Sequence, residues 1–296
     1  MKTIYKVLPM IWAVGLFGCS NDKPVSQKAV VAEESNVEVK EDFVSKLPDT
    51  APTLKVAMTG DFPPFSFQDD YGNLQGVDID SIRAIGEEQG FKVEFYKETW
   101  QGLFDSVESG NRDLAISGIS YQKERDEKYG LSIPYFFNPS AIMYEKPKLN
   151  IQNLDDLKGL RVGALEGSRQ ADVLKAMGGD IELITMDTSF LSYENLMLGK
   201  IDAIVDDMPI LQYTAKSHPD TKVIIKSYER DDTPAAQQVV LMAKNNQVLI
   251  DDVNEGITKL KAKGVFKGIE AKWLNEADTA KELTPVAQEV IVGYNP

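Results

Sequence analysis

Two segments about ninety residues apart, "ESGNRDLAISGIS" and "MLGKIDAIVDDMP", carry the same order of signals: a helix end, a glycine, two residues, an aspartate and an apolar strand. Gly110 precedes Asp113 as Gly199 precedes Asp202. Each segment comes late in its own run of alternating elements. In the first run, Leu54, Val56 and Met58 alternate at strand period, Ile79, Ile82 and Ile85 recur at helical spacing before Gly90, and "FKVEFYK" is strand-like again. Strand and helix in turn imply an α/β sheet, and the echo implies two lobes of similar build. The join is "AIMYEKPKLNIQNLDDLKGLRVGALEG": a strand, a proline-containing turn, a short helix and a new strand at Leu160. After "KVIIKS", the stretches "QQVVLMAKNN" and "ITKLKAKGVFKGIEAKWL" find no partner in the second lobe, so they return to the first. The chain then crosses twice, near residues 143–145 and 238–241, through a hinge of two crossing strands. Lobe 1 is expected over 53–142 plus 242–274, and lobe 2 over 146–238.

The ends read differently. "MKTIYKVLPMIWAVGLFGCS" has Lys2 and Lys6, an apolar run from Val7 to Phe17 and small residues before Cys19. That is the pattern of a secretory signal over residues 1–18, too short to span a membrane. "LFGC" resembles a bacterial lipobox, in which the cysteine is lipidated and becomes the first residue. Cys19 is the one cysteine in the chain, which excludes an intramolecular disulfide. Residues 19–52 read as the lipidated cysteine and a flexible tether, polar and nearly free of aromatics. Some thirty flexible residues hold a domain on the order of 30 Å from its anchor. The formal charge of −14 falls to near −16 once the two lysines of residues 1–18 are removed, which argues against nucleic acid and anionic headgroups as partners. Residues 275–296 have no role that the sequence suggests.

In open α/β sheets ligands bind beyond the carboxyl ends of strands, and clefts between lobes are preferred pockets. The strand ends to watch are 117–120 in lobe 1, and 166–170 and 206–207 in lobe 2. "LAISGISYQKER" admits a bland reading, in which Ser120 caps the next helix and Arg125 is solvated. It also admits a functional one: backbone N–H groups at a helix start favour an anion, and Arg125 offers a planar fork to a carboxylate. "LEGSRQAD" repeats the arrangement with Gly167, Ser168 and Arg169, while "AIVDDMP" ends a strand in two carboxylates that would accept an ammonium. Anion and cation receptors on different walls suit a zwitterionic amino acid. Phe62, in a loop stiffened by Pro63 and Pro64, and Trp100, at a helix start, would sandwich a side chain if they face the cleft.

"GDFPPFSFQDDYGNLQGVDIDSIRAI", then "WQGLFDSVESGNRDLAISGISYQKERDEKYGLSIPYF" and "DDLKGLRVGALEGSRQADVL", resembles the periplasmic polar amino acid-binding proteins of ABC importers, the family 3 solute-binding proteins. The resemblance covers about residues 53–274 and rests on the ordered run rather than on any single piece. It implies the two-lobed type II periplasmic-binding-protein fold and a monomer. It implies capture of an amino acid and delivery to a membrane permease, with no cofactor, no metal and no catalytic residue. By that resemblance Arg125 holds the ligand carboxylate with help from Ser120, Ser168 and Arg169. Asp207 and the Gly118 carbonyl take the ammonium, and Phe62 and Trp100 line the side-chain pocket. Thr59 stands where several relatives have an aspartate, and Arg169 replaces a more usual threonine or serine. Asp61 and Asp206 favour a cationic side chain and Arg169 an anionic one, so the expected ligand is basic or polar. With the lipobox, the chain is expected to be extracytoplasmic and held to a bacterial membrane by lipid.

Two rival functions stand beside this one. The first is an enzyme like the periplasmic cyclohexadienyl dehydratases, which resemble the same family and act on prephenate or arogenate. Against other enzymes, the chain has a single histidine, His218, in an expected exposed turn, and no G-x-S-x-G, metal spacing or P-loop. The second is a ligand-sensing or structural surface lipoprotein. Asp78 and Asp80 are expected to cap a helix, Tyr135 to pack in the core or reach the cleft, and Trp273 to pack the last helix onto lobe 1.

Overall fold

The computed structural model describes residues 43–145, 149–229 and 234–274. The expected signal segment, Cys19, residues 20–42 of the expected tether and the extension 275–296 lie outside the described residues. The chain begins with β1 (Thr53–Met58), the small antiparallel sheet β2 (Asp61–Phe62), β3 (Ser66–Gln68) and β4 (Leu74–Gln75), then α1 (Val77–Gln89) and β5 (Lys92–Lys97). It continues through α2 (Trp100–Glu108), β6 (Leu114–Ala115), α3 (Lys123–Lys128), β7 (Gly130–Leu131) and β8 (Phe136–Phe137). Next come β9 (Ser140–Glu145), β10 (Arg161–Leu165), α4 (Arg169–Met177), β11 (Glu182–Met186), α5 (Ser189–Met197), β12 (Ala203–Asp207), α6 (Met208–Ser217) and β13 (Val223–Ser227). The last elements are β14 (Gln237–Gln238), β15 (Leu241–Met242), α7 (Gln247–Ala262) and α8 (Val265–Trp273). No helix among the described residues is long and apolar enough to cross a membrane.

The two lobes share one topology. Their sheets run β5-β1-β6-β15-β7 and β11-β10-β12-β9-β13. In each, a central strand, β1 or β10, lies in parallel between the next two strands of its helix-linked run, β5 and β6 or β11 and β12. The fourth strand is antiparallel, and on it the chain arrives from the other lobe. The sequence echo has a structural reason. Asp113 brackets Lys55 of β1, its carboxylate accepting the Lys55 N–H at 2.7 Å and its own N–H reaching the Lys55 carbonyl at 2.9 Å. Asp202 does the same to Arg161 of β10, at 2.9 and 2.8 Å. Gly110 and Gly199 turn the preceding helix in the left-handed region, at φ 76° and 66°, where a side chain would be strained.

Period-two alternation divides the core of lobe 2 between two faces. Ile142, Tyr144, Ala203 and Val205 pack beneath α4, whereas Ala141, Met143 and Ile204 pack with Tyr193, Leu196 and Leu211 of α5 and α6. A sheet covered on both faces reads as a continuous apolar run, which is why "SAIMYE" by itself does not say to which lobe it belongs. It pairs with β12 and β13 and is lobe 2. The first crossing therefore falls near residues 136–139, earlier than the expected 143–145, and the hinge is the antiparallel pair β8–β14.

Residues 43–52, expected to be the end of the flexible tether, instead lie along lobe 1. Glu87 of α1 accepts the Ser45 hydroxyl and the Lys46 N–H, the latter at 3.1 Å, and Arg83 sits 4.8 Å over the Phe43 ring. At the other end, Trp273 packs edge-on against Phe67 and donates to Asp80 at 2.8 Å, so the last helix is pinned to lobe 1.

Candidate functional site

A cavity opens where the sheets of the two lobes face each other. Lobe 1 lines it with Phe62, Trp100, Gly118, Ser120 and Arg125, and lobe 2 with Leu165, Ser168, Arg169, Gln170, Asp206 and Asp207. The eight expected binding residues and Asp206 thus meet on one cavity. The lobes touch around it. Trp100 Nε1 donates to the Gly167 carbonyl at 3.2 Å, Arg125 Nη2 to the same oxygen at 3.3 Å, and Gln122 to Asp172 at 3.2 Å.

On the lobe 1 wall, Gly118 adopts φ 62°, and a Cβ there would lie 2.9 Å from the Phe62 ring. Glycine is what lets that ring sit over the strand end. The Gly118 N–H donates to Asp78 at 2.6 Å, and Asp78 also accepts the Tyr135 hydroxyl at 2.5 Å. Burial pushes Asp78 up to about 7, against both hydrogen bonds. The expected capping role is therefore corrected. Gly76 holds the N-cap of α1, where a Cβ would collide with the Phe65 carbonyl at 2.1 Å. Asp78 instead braces the strand end, and Asp80 holds Lys272 and Trp273. Tyr135 reaches Asp78 and does not line the cavity.

Arg125 is 8% exposed, which excludes the bland reading of "LAISGISYQKER". Gln122, not Ser120, occupies the N-cap of α3. The Ser120 carbonyl accepts from Arg125 Nη1 at 2.8 Å, and the guanidinium lies over Phe104 and Trp100 at 5.1 and 5.7 Å. Burial lowers it to about 10, with Asp172 opposing, so it is charged at neutral pH. Its hydrogen-bond partners are carbonyl oxygens rather than a carboxylate.

On the lobe 2 wall, Ser168 caps α4 by accepting the Ala171 N–H at 3.1 Å. Arg169 is 5% exposed and grips Glu229 with both terminal nitrogens, at 2.5 and 2.9 Å, and also donates to the Ser140 hydroxyl. Burial works against its charge, and the Glu229 carboxylate more than offsets this. Asp206 and Asp207 are 3% and 4% exposed and adjacent. Asp207 accepts from Gln170 Nε2 at 2.6 Å, and its own N–H donates to Asp206 Oδ1 at 2.7 Å. Among the described residues Asp206 Oδ2 has no partner of good geometry, though the Ser189 hydroxyl lies near enough to favour the charged carboxylate. Burial pushes Asp206 up to about 6, and burial together with the Asp206 charge raises Asp207 well above the carboxylate range. Two crowded, desolvated carboxylates are what a cation relieves.

The two further specificity positions lie off the cavity. Thr59 is buried in a cluster of hydroxyls, 2.9 Å from Ser117 and 3.4 Å from Ser66, and Asp61 is exposed on β2. His218 ends α6 half-buried against Tyr193, with ring centroids 4.6 Å apart. Gln170 lies within the marked segment 166–170 but was given no role, and three contributors escaped sequence reasoning. Leu165 directly precedes that segment, so proximity could have found it. Ser140, at the start of β9, and Glu229, two residues past β13, hold Arg169 and Gln170 from behind the cavity and left no local signal.

Two α/β lobes closing a charged cavity across a two-strand hinge define a bilobal ligand-binding protein. The chain matches the model of the bacterial extracellular solute-binding proteins, family 3, over residues 54–276, and belongs to that family. It is 29% identical to the L-cystine-binding protein TcyJ of Escherichia coli (strain K12) over 231 residues, 77% of this chain and 85% of that protein. It is similar to the solved structure of an ancestral arginine-binding protein bound to arginine, at 31% identity and TM-score 0.71, covering 75% of this chain and 98% of that one. It is also similar to the ancestral amino acid-binding protein AncCDT-1, a precursor of cyclohexadienyl dehydratase, at 27% identity and TM-score 0.68, covering 75% and 95%.

Proposed function

We propose that this chain captures a basic or polar amino acid between its lobes and delivers it to the permease of an ABC importer, held at the membrane by a lipid on Cys19. The observation that carries this reading is an arginine without a carboxylate partner facing a crowded pair of carboxylates across one cavity. Among the described residues Arg125 on lobe 1 donates to carbonyl oxygens and to no carboxylate, while Asp206 and Asp207 on lobe 2 are two adjacent buried carboxylates. An α-carboxylate suits the first and an α-ammonium the second. Phe62, Trp100 and Leu165 supply the apolar sides for the ligand's carbon chain. Because the lobes touch around the cavity, the ligand enters with the lobes apart, and closure over it presents the shape that the permease meets. Relatives named for L-cystine and for arginine support an amino acid ligand.

A thermal shift of the purified chain, unfolded and refolded to strip carried ligand, tests this against the common amino acids, L-cystine and prephenate. A ligand at a thousand times its Kd adds about 4 kcal/mol, and each kcal/mol moves the midpoint of a domain this size by roughly 2–4 °C. A shift on the order of 10 °C with an amino acid is expected, and silence across all of them would overturn the reading. The likeness to a dehydratase precursor, with a buried carboxyl at Asp206 pushed up to about 6, favours an enzyme as the second reading. No turnover of prephenate or arogenate is expected, and measurable turnover would replace binding with catalysis.

A further inference from the structure

We infer that Glu229 sets the charge class of the accepted side chain by occupying Arg169; the inference rests on the amino acid reading above. Arg169 is one of two arginines that line the cavity. Left to itself it would offer an acidic side chain a buried guanidinium, the partner of a strong charge-assisted bond. Glu229 does not line the cavity, yet it meets the guanidinium face to face, with Oε1 at 2.5 Å from Nη1 and Oε2 at 2.9 Å from Nη2. Its Oε2 also accepts the Ser140 N–H at 2.9 Å, so the carboxylate is held by the strand that enters lobe 2 as well as by α4. An acidic side chain in the cavity would therefore meet the Arg169 cation and the Glu229 anion together, and at similar distances their fields nearly cancel. The same cancellation acts on Asp207, whose charged form Arg169 favours and Glu229 opposes. Arg169 Nε is buried with no hydrogen-bond partner, so the guanidinium keeps a donor that Glu229 does not use.

Arg125, by contrast, has no such partner and stays available for the α-carboxylate common to every amino acid. One arginine thus reads the part of the ligand that does not vary. The other is withheld from the part that does.

Isothermal titration of the chain and its Glu229→Gln variant with L-glutamate, L-glutamine and L-arginine tests this. Glu229→Gln is expected to gain at least tenfold for L-glutamate relative to L-glutamine and to lose affinity for L-arginine. Adding Arg169→Gln to that variant is expected to abolish the gain, which a merely structural role for Glu229 would not do. A folded Glu229→Gln protein with an unchanged glutamate-to-glutamine ratio overturns the inference. Should that variant not fold, Glu229→Asp keeps the charge but draws it one methylene back from Arg169. A smaller gain in the same direction is then expected, and no gain overturns the inference. The two readings fail separately: binding of L-arginine or L-glutamine without the change in ratio removes the role of Glu229 alone. Failure of every amino acid to bind removes both.

Discussion

Arg125 and Arg169 are both buried, both line the cavity and both sit near the start of a helix that follows a strand end, yet they do opposite things. Lobe 1 surrounds Arg125 with carbonyl oxygens and aromatic rings, which hold its orientation without neutralising it. Lobe 2 gives Arg169 a carboxylate. The carboxylates divide likewise: Glu229 is matched to a cation, while Asp206 and Asp207 are crowded together with a single amide donor on Asp207. What would make a charged side chain a receptor in the proposed site is therefore its existing partners, not its type or its burial. The proposed site draws on those that the fold leaves without an opposite charge.

The largest expected effect separates the arginines by what they support. Arg169→Ala should cost about 3 kcal/mol of folding stability, because it strands the Glu229 carboxylate in a largely buried setting, and the thermal midpoint should fall by roughly 6–12 °C. Arg125→Ala should leave the midpoint within a few degrees and instead weaken amino acid binding by at least ~2 kcal/mol, roughly thirtyfold in Kd by titration calorimetry. A stability loss at Arg125 equal to that at Arg169, with Kd unchanged, would erase the distinction.

The crowded carboxylates are expected to show themselves through pH. Burial holds the Asp206 carboxyl near 6 rather than at its ordinary 3.8, so below that pH it is neutral in the absence of ligand. An ammonium needs it charged, so binding releases a proton and affinity should fall as pH is lowered through about 6. Calorimetry in buffers of different ionisation enthalpy counts that proton. A Kd flat from pH 5 to 7 would show that the pair is already ionised before ligand arrives. Asp207→Asn should weaken amino acids about tenfold while sparing simple carboxylates, and equal losses for both would contradict the ammonium role.

The smallest effect belongs to Thr59, where the sequence placed a specificity position and the structure places a hydroxyl cluster behind the wall. Thr59→Val removes one member while Ser66 and Ser117 keep each other at 2.9 Å. It should cost about 1 kcal/mol of stability and move Kd by no more than about threefold. A selective tenfold change for one ligand would bring Thr59 back to the site.

Much of this was legible along the chain because its causes are local. Alternating apolar residues mark β1, the spacing of Ile79, Ile82 and Ile85 marks the buried face of α1, and the repeated glycine and aspartate mark the turn into each lobe's third strand. From strand ends alone, Arg125, Ser168, Asp206 and Asp207 could be set around one cavity. The capping role assigned to Asp78 shows where local reasoning stops. An acid in the first turn of a helix usually serves that helix, but this one lies against Gly118, 40 residues away.

By itself, then, the sequence determined the two-lobed α/β organisation, the strand ends that line the cavity and the charged residue types gathered there. These follow from periodicity and turn chemistry within short windows. Only the tertiary structure decided that the hinge is β8–β14, that Arg169 belongs to Glu229 and that Arg125 is left without a carboxylate. Strand order brings β13 beside β9, and with it a carboxylate 60 residues from Arg169 in the chain. Which charges are matched and which remain free depends on such long-range pairing, because electrostatic partners are chosen by distance in space rather than along the chain.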